Sequence, residues 1–256
     1  MTISSRESDD DEIVVSRRGA VVLVTGGSGG IGRAVALHLA SKGLRVVLSG
    51  RRLDALAAVQ AEIVESGGDA AVLAADLTDT NGPASLVAAT VAWQGRLDGV
   101  VSCAGAARFT FFNRMSAVEF TDEIQVNLLA PIAIVRAAMP ELVRARRGFV
   151  VFINSIVSRA PAPARGTGYV TAKAGLLHFS ESLFAEIRDS GVAVTSILPD
   201  LTDTPMIPDR LGYDRTSLID PASIADAVWF VMTPRGHACI TELHLRSQPS
   251  LRMEHA

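Results

Sequence analysis

The chain has 256 residues, 48% of them hydrophobic, and a formal net charge of −3, enough to bury a large core in a single α/β unit. That charge leaves no electrostatic footprint for nucleic acid or an anionic membrane surface. The two cysteines, Cys103 and Cys239, stand far apart without CxxC or Cys/His spacing, which argues against a disulfide framework and a metal site.

The opening residues, MTISSRESDDDE, are acidic and polar and lack the basic and apolar parts of a secretory signal. Residues 1–17 are expected to form a disordered or loosely held tail, followed by one domain over 18–256. No apolar run approaches the ~20 residues needed to span a bilayer, so the expected location is the cytoplasm, with no membrane partner. AVVLVT (20–25), RVVLS (45–49), AAVLAA (70–75), DGVVSC (98–103), GFVVFIN (148–154) and VAVTSIL (192–198) are continuous apolar runs, as in strands buried on both faces. ACITELHL (238–245) is expected to close the sheet. Helical spacing fills the intervals 30–42, 52–66, 83–93, 116–146, 168–190 and 221–233, and Ser116-Ala117-Val118-Glu119 has capping-box form. The basic run Arg144 to Arg147 closes the fourth of these helices, where cations complement the dipole. This alternation predicts a single-domain Rossmann fold, a doubly wound parallel sheet of about seven strands flanked by helices.

The first strand runs into TGGSGGIG (25–32) and then a helix. Gly26, Ser28, Gly29, Gly30, Ile31 and Gly32 therefore stand where a backbone turns tightly and a helix N-terminus presents its N–H groups to a pyrophosphate. A carboxylate about 20 residues further on would bind a ribose 2′-hydroxyl. The second strand instead ends in Ser49-Gly50-Arg51-Arg52, and guanidinium forks suit a 2′-phosphate. NADP(H) is the preferred cofactor, with NAD(H) open if both arginines only solvate the next helix.

Tyr169 and Lys173 lie four positions apart on a predicted helix, in a chain with two tyrosines, so they share one face. A tyrosine near its ordinary pKa of ~10 is a poor base at neutral pH, and an ammonium beside it favours the phenolate. That pair supplies a proton-transfer group and its activator.

TGGSGGIG, Asp76-Leu77, Ala104-Gly105, Asn127, Ser155 and Tyr169-x-x-x-Lys173 together resemble the short-chain dehydrogenase/reductase family over residues 18–246. The resemblance implies that Tyr169 is the general acid/base, that Lys173 activates it and binds the nicotinamide ribose, and that Ser155 polarises a substrate carbonyl. It also implies that Asn127 holds a water connected to Lys173. Asp76 and Leu77 would flank the adenine, although Asp76 also fits a capping role. Ala104, Gly105 and Pro199 would bind the cofactor, with Thr202 near the nicotinamide and Thr204 near the phosphates. Pro131, four residues after Asn127, has no N–H and would leave the Asn127 carbonyl free for that relay. A kink set by packing alone is the alternative.

Three segments depart from the family pattern. SCAG (102–105) replaces NNAG, and Ser102 is expected to restore part of the lost bracing through its hydroxyl. Pro199-Asp200-Leu201-Thr202-Asp203-Thr204 places Asp200 where the family has glycine, and Asp203 is expected to point away from the diphosphate. MTPRGHACITELHLRSQ (232–248) is similar to the endings of NADP-linked 3-hydroxy acid and aldehyde reductases.

Residues 201–219 read as a lid with Met206, Ile207, Leu211 and Tyr213 as wall residues, and 106–115 offer three phenylalanines as a second wall. Arg108, Arg114 and Arg165 are candidates for a substrate carboxylate, or simply surface. The expected activity is NADP(H)-dependent interconversion of a ketone or aldehyde with an alcohol. The alternative is a catalytically weak cofactor-binding regulator or scaffold of the same fold. An epimerase or dehydratase would need a larger substrate domain. The resemblance further implies a homodimer or homotetramer paired through helices 116–146 and 168–190.

Overall fold

The structure, a computed structural model, describes residues 17–160, 164–234 and 238–248. Every expected strand forms: β1 (Val21–Thr25), β2 (Arg45–Gly50), β3 (Asp69–Ala74), β4 (Gly99–Ser102), β5 (Phe149–Ile153), β6 (Ala193–Pro199) and β7 (Glu242–Leu245). They build one seven-stranded sheet in the order β3-β2-β1-β4-β5-β6-β7, and every pairing is parallel. β7 is shorter than the apolar stretch 238–245, because its first residues run outside the ladder.

The helices are α1 (Gly30–Ser41), α2 (Leu53–Glu65), α3 (Gly82–Gln94), α4 (Ala117–Ile124), α5 (Ala130–Arg144), α6 (Thr167–Ile187) and α7 (Pro221–Met232). Alternation along each strand divides the core in two. Val22 and Val24 of β1 face Val35, Leu39, Leu56 and Val228 from α1, α2 and α7. Val21 and Leu23 face Leu86, Ile134, Leu142 and Leu176 from α3, α5 and α6. Both strand faces are dry, which is why these runs show no polar alternation.

The tail expected over 1–17 lies outside the described residues except for Arg17, and Arg17 belongs to the folded unit. Its guanidinium donates to Met232 O at 3.1 and 2.7 Å and to Arg147 O at 2.7 Å, and it covers the Phe149 ring at 4.9 Å.

The helix expected over 116–146 starts at the predicted box: Glu119 N donates to Ser116 Oγ at 3.2 Å and Ser116 N to Glu119 Oε2 at 2.8 Å. It is not uniform. A π-turn at Gln125–Leu129 separates α4 from α5, with Ala130 N donating to Gln125 O. The widened turn absorbs a residue immediately before Pro131, the common way a helix accommodates a missing donor. By length and composition the continuous stretch Ala117–Arg144 is long and apolar enough to cross a membrane. Here its inner face is core, with Ile134, Ala138 and Leu142 fully buried.

The parallel register aligns Thr25 with Ser49 and with Ser102, and Ser102 with Phe152, so the strands end at one rim. Residues emerging there from β1 and β4 flank the point where the sheet order reverses, the usual ligand crevice of such sheets.

Candidate active site

At the rim, Gly26 has φ 68°, and a Cβ there would stand 2.9 Å from Ala104 N. A Cβ on Gly32 would stand 2.3 Å from Gly26 O, so only glycine lets α1 pack onto the loop that precedes it. Gly30 has φ 51° and opens α1; Gly29 before it makes no side-chain cap, which leaves the first N–H groups of the helix facing the rim. Thr204 reaches this loop, its Cγ2 lying 3.1 Å from where a Gly30 Cβ would be. Ile31 packs partly buried against the core.

Arg51 and Arg52 follow β2 and are exposed. Arg52 Nη2 donates to Ser28 O at 3.3 Å and Ser28 Oγ at 3.2 Å, so its guanidinium already lies over the glycine loop. Asp76 is exposed and its Oδ1 accepts from Thr78 N at 2.9 Å and Thr78 Oγ1 at 2.7 Å. Those bonds, with the charge of Arg51 adding less, hold its carboxyl below the usual range. Asp76 thus caps its own turn rather than α3, while Leu77 beside it is buried. The bracing expected of Ser102 comes from β1: Ala104 N donates to Thr25 Oγ1 at 3.2 Å.

Asn127 is fully buried in the π-turn. Its Nδ2 donates to Ala106 O at 2.8 Å and Glu123 O at 2.9 Å, and its Oδ1 accepts from Ala106 N at 3.1 Å. A Gly105 Cβ would stand 2.8 Å from that Oδ1, so Asn127 holds the chain leaving β4 at close quarters. Pro131 withholds the donor that would ordinarily reach the Asn127 carbonyl.

Ser155 follows β5 and is buried, with its hydroxyl accepting from Val157 N at 3.4 Å. Tyr169 and Lys173 lie on the first turns of α6, as their spacing predicts. Lys173 is 5% exposed, and its Nζ donates to Ile153 O at 2.8 Å and lies 5.7 Å from the Tyr169 ring centroid. Burial lowers Lys173 to about 8, against a smaller upward pull from Cys103. Cys103 is itself pushed up to about 12 by burial, so it is an unreactive thiol.

One expectation is reversed. Tyr169 sits above the ordinary phenol value rather than below it. Burial is the main cause and the charge of Glu123 adds to it, while hydrogen bonding with Ser155 works the other way. Lys173 Nζ donates one of its three N–H groups to the Ile153 carbonyl, and burial outweighs the influence that lowers the phenol. The protein's own groups therefore hold Tyr169 as a phenol ready to donate a proton.

At the far side of the rim Pro199 ends β6, and Thr202 is buried with Oγ1 donating to Asp200 O at 2.9 Å. Asp200 avoids positive φ; its carboxylate accepts from Leu201 N and pairs with Arg246 at 3.1 Å. Asp203 is paired with Arg215. Arg215, which the sequence reading passed over, also binds Asp209 and Ile207 O and so clasps the 201–219 loop. Backbone bonds between Ile219 and both Leu201 and Asp203 close its base. Met206 Cε comes within 3.9 Å of a Gly105 Cβ position and Ile207 is buried, whereas Tyr213 is half-exposed. Arg108 is committed to Glu119 O and Asp122, so it is not a free carboxylate ligand. Arg114 and Arg165 instead flank the exposed Phe111 ring, at 6.0 and 4.6 Å.

A parallel doubly wound sheet with a glycine-rich turn at its reversal point, and a Ser–Tyr–Lys cluster one strand away, defines a dinucleotide-linked oxidoreductase. The family model for short chain dehydrogenases matches residues 20–211, and the chain belongs to that family. It is 32% identical over 229 residues to a fatty acyl-CoA reductase of Acinetobacter baylyi, covering 88% of this chain and 77% of that protein. Among solved structures it is similar to a metagenomic short-chain oxidoreductase in complex with NADP, at 35% identity and TM-score 0.81, covering 91% and 99% of the two chains. It is also similar to a 3-oxoacyl (acyl-carrier-protein) reductase of Agrobacterium tumefaciens with NADP bound, at 27% identity and TM-score 0.86, covering 95% and 99%.

Proposed function

We propose that the chain is an NADP(H)-dependent oxidoreductase that interconverts a ketone or aldehyde with an alcohol. The observation that carries this reading is the grouping of Ser155, Tyr169 and Lys173 on the sheet rim beside a glycine loop in which Gly26 and Gly32 admit no side chain. The residues present fit the dinucleotide. Gly26 lets the loop close on the Ala104 backbone, Gly29 and Gly30 keep it bare beneath the Arg52 and Thr204 side chains, the α1 N-terminus opens there, and Arg51 and Arg52 stand at the ribose end for a 2′-phosphate. The bound nicotinamide supplies or accepts the hydride.

The chain's own groups handle the oxygen. Ser155 Oγ–H donates to the substrate carbonyl oxygen, and Tyr169 Oη–H passes its proton to the same oxygen as negative charge develops there. Lys173 would hold the cofactor ribose through the N–H groups that Ile153 O leaves, keeping its positive charge near the Tyr169 ring, and Asn127 fixes the chain leaving β4. Similar structures that hold NADP support the cofactor preference. Arg52, bound to Ser28 only at the long end of hydrogen-bond distance, is free to turn onto a phosphate.

Arg51→Ala with Arg52→Ala is expected to weaken NADPH binding about 10- to 100-fold, the loss of one or two charge-assisted bonds, and to leave NADH binding in place. Side-by-side fluorescence titrations read both. An NADH affinity equal to that of NADPH in the wild type would remove the arginine argument.

The same reading takes a small carbonyl or alcohol substrate, needs no nucleic acid or membrane, and places the protein in the cytoplasm as a homodimer or homotetramer. The outer faces of α5 and α6 support the pairing. Ile132, Val135, Met139, Val143, Phe179 and Leu183 line an apolar groove of about 740 Å³ between them. Light scattering is expected to return at least a dimer at micromolar concentration, and a monomer would remove this part.

A further inference from the structure

The buried Glu123 carboxylate has no place in the roles above. It is 1% exposed and belongs to α4, one helical turn before Asn127. Its Oε1 accepts from Arg108 N at 2.7 Å. Its Oε2 is buried with no hydrogen-bond partner among the described residues, and a Cβ on Gly168 would stand 2.3 Å from it. Gly168 immediately precedes Tyr169 in the first turn of α6, and Gly166, the residue before that helix, supplies no side-chain cap. A carboxylate oxygen left without a partner in a dry site is costly. A glycine conserving room for it, at the residue next to the acid, makes the arrangement hard to read as surface chemistry turned inward.

We propose that Glu123 is a positioning residue for Tyr169. From α4 its carboxylate binds Arg108 N and packs on Gly168 in the first turn of α6, and its charge adds to the burial that keeps Tyr169 a phenol. Three observations meet here. The α6 N-terminus is the positive end of a 21-residue helix, so a carboxylate packed on Gly168 is favourably placed. The same glutamate supplies, through its backbone carbonyl, one of the bonds that fix Asn127. Its charge raises the Tyr169 phenol. The other group acting on that phenol is Ser155 from the end of β5; Lys173 on α6 lies 5.7 Å from the Tyr169 ring centroid, with Cys103 after β4 acting on Lys173.

The proposal rests on the oxidoreductase reading, but its test does not. The chain has two tyrosines, so Tyr213→Phe leaves Tyr169 as the single phenol whose ionisation can be followed by near-ultraviolet absorbance. That protein is expected to titrate above ~10. Adding Glu123→Gln, which keeps an acceptor for Arg108 N and removes the charge, is expected to lower the midpoint. Coincident midpoints overturn the proposal. If the glutamine variant does not fold, Gly168→Ala displaces the same carboxylate from the opposite side and must lower the midpoint too; an unchanged titration there overturns it equally. Alcohol oxidation, which needs the phenolate, should begin its rise at correspondingly lower pH in Glu123→Gln. A shifted phenol in a protein without turnover would leave Glu123 in its role and remove the oxidoreductase reading.

Discussion

Tyr169→Phe is expected to lower carbonyl reduction by ~10³-fold, within the 10²–10⁴ that a positioned proton donor contributes, while NADPH affinity changes less than about threefold. The split follows from position. In the proposed mechanism the phenol oxygen gives the proton, whereas the ring that remains still lies beside Lys173. Folding stability should fall by only about 1 kcal/mol, the net worth of the hydrogen bond to Ser155. Steady-state turnover beside an NADPH titration measures both quantities. Turnover retained within tenfold would mean that another group, and not Tyr169, carries the proton.

Lys173→Met should have the second largest effect, and it separates function from stability. Turnover and cofactor binding should both fall, since the ammonium that serves ribose and tyrosine is gone. Stability should respond in the opposite sense. Folding lowers Lys173 from 10.5 to about 8, so between those values the unfolded chain holds a proton that the folded protein has released. Stability therefore rises with pH across that window, and below pH 8 the wild type bears the cost of a buried ammonium, on the order of 3 kcal/mol. The Met variant lacks this term but leaves Ile153 O without its donor, which offsets part of the gain at neutral pH. Urea unfolding at pH 7.5 and pH 10 should show the wild type gaining on the variant as pH rises. Parallel behaviour would show that Lys173 is not desolvated. In the wild type, kcat/KM for reduction should decline above about pH 8 as the same ammonium is lost.

Sheet and helices were legible because each strand is dry on both faces and each helix is periodic. A run such as VVLVT leaves little choice, and the Ser116/Glu119 box announces its own start. The glycines of 26–32 and the Tyr169/Lys173 spacing were legible because their chemistry is local in sequence. What was hidden depends on tertiary distance. The π-turn before Pro131 looks like ordinary helix in its letters. Glu123 reads as one more acid in TDEIQ, and only its four-residue offset from Asn127 marks the inward face. Arg215 gives no sign that it will clasp Asp203 and Asp209. The direction of the Tyr169 shift follows from burial, which spacing does not reveal.

The most direct test of the central claim is isotopic. NADPH deuterated at the nicotinamide C4, prepared separately on each face, is incubated with the protein and a panel of aldehydes, methyl ketones and β-keto esters, and the alcohols are analysed by mass spectrometry. A carbonyl reductase of the kind proposed yields, from one of the two labelled faces, an alcohol carrying a single deuterium on its carbinol carbon, and Tyr169→Phe nearly abolishes it. NADPH that binds tightly while no labelled alcohol forms from any carbonyl would contradict the account and leave a cofactor-binding protein without this chemistry.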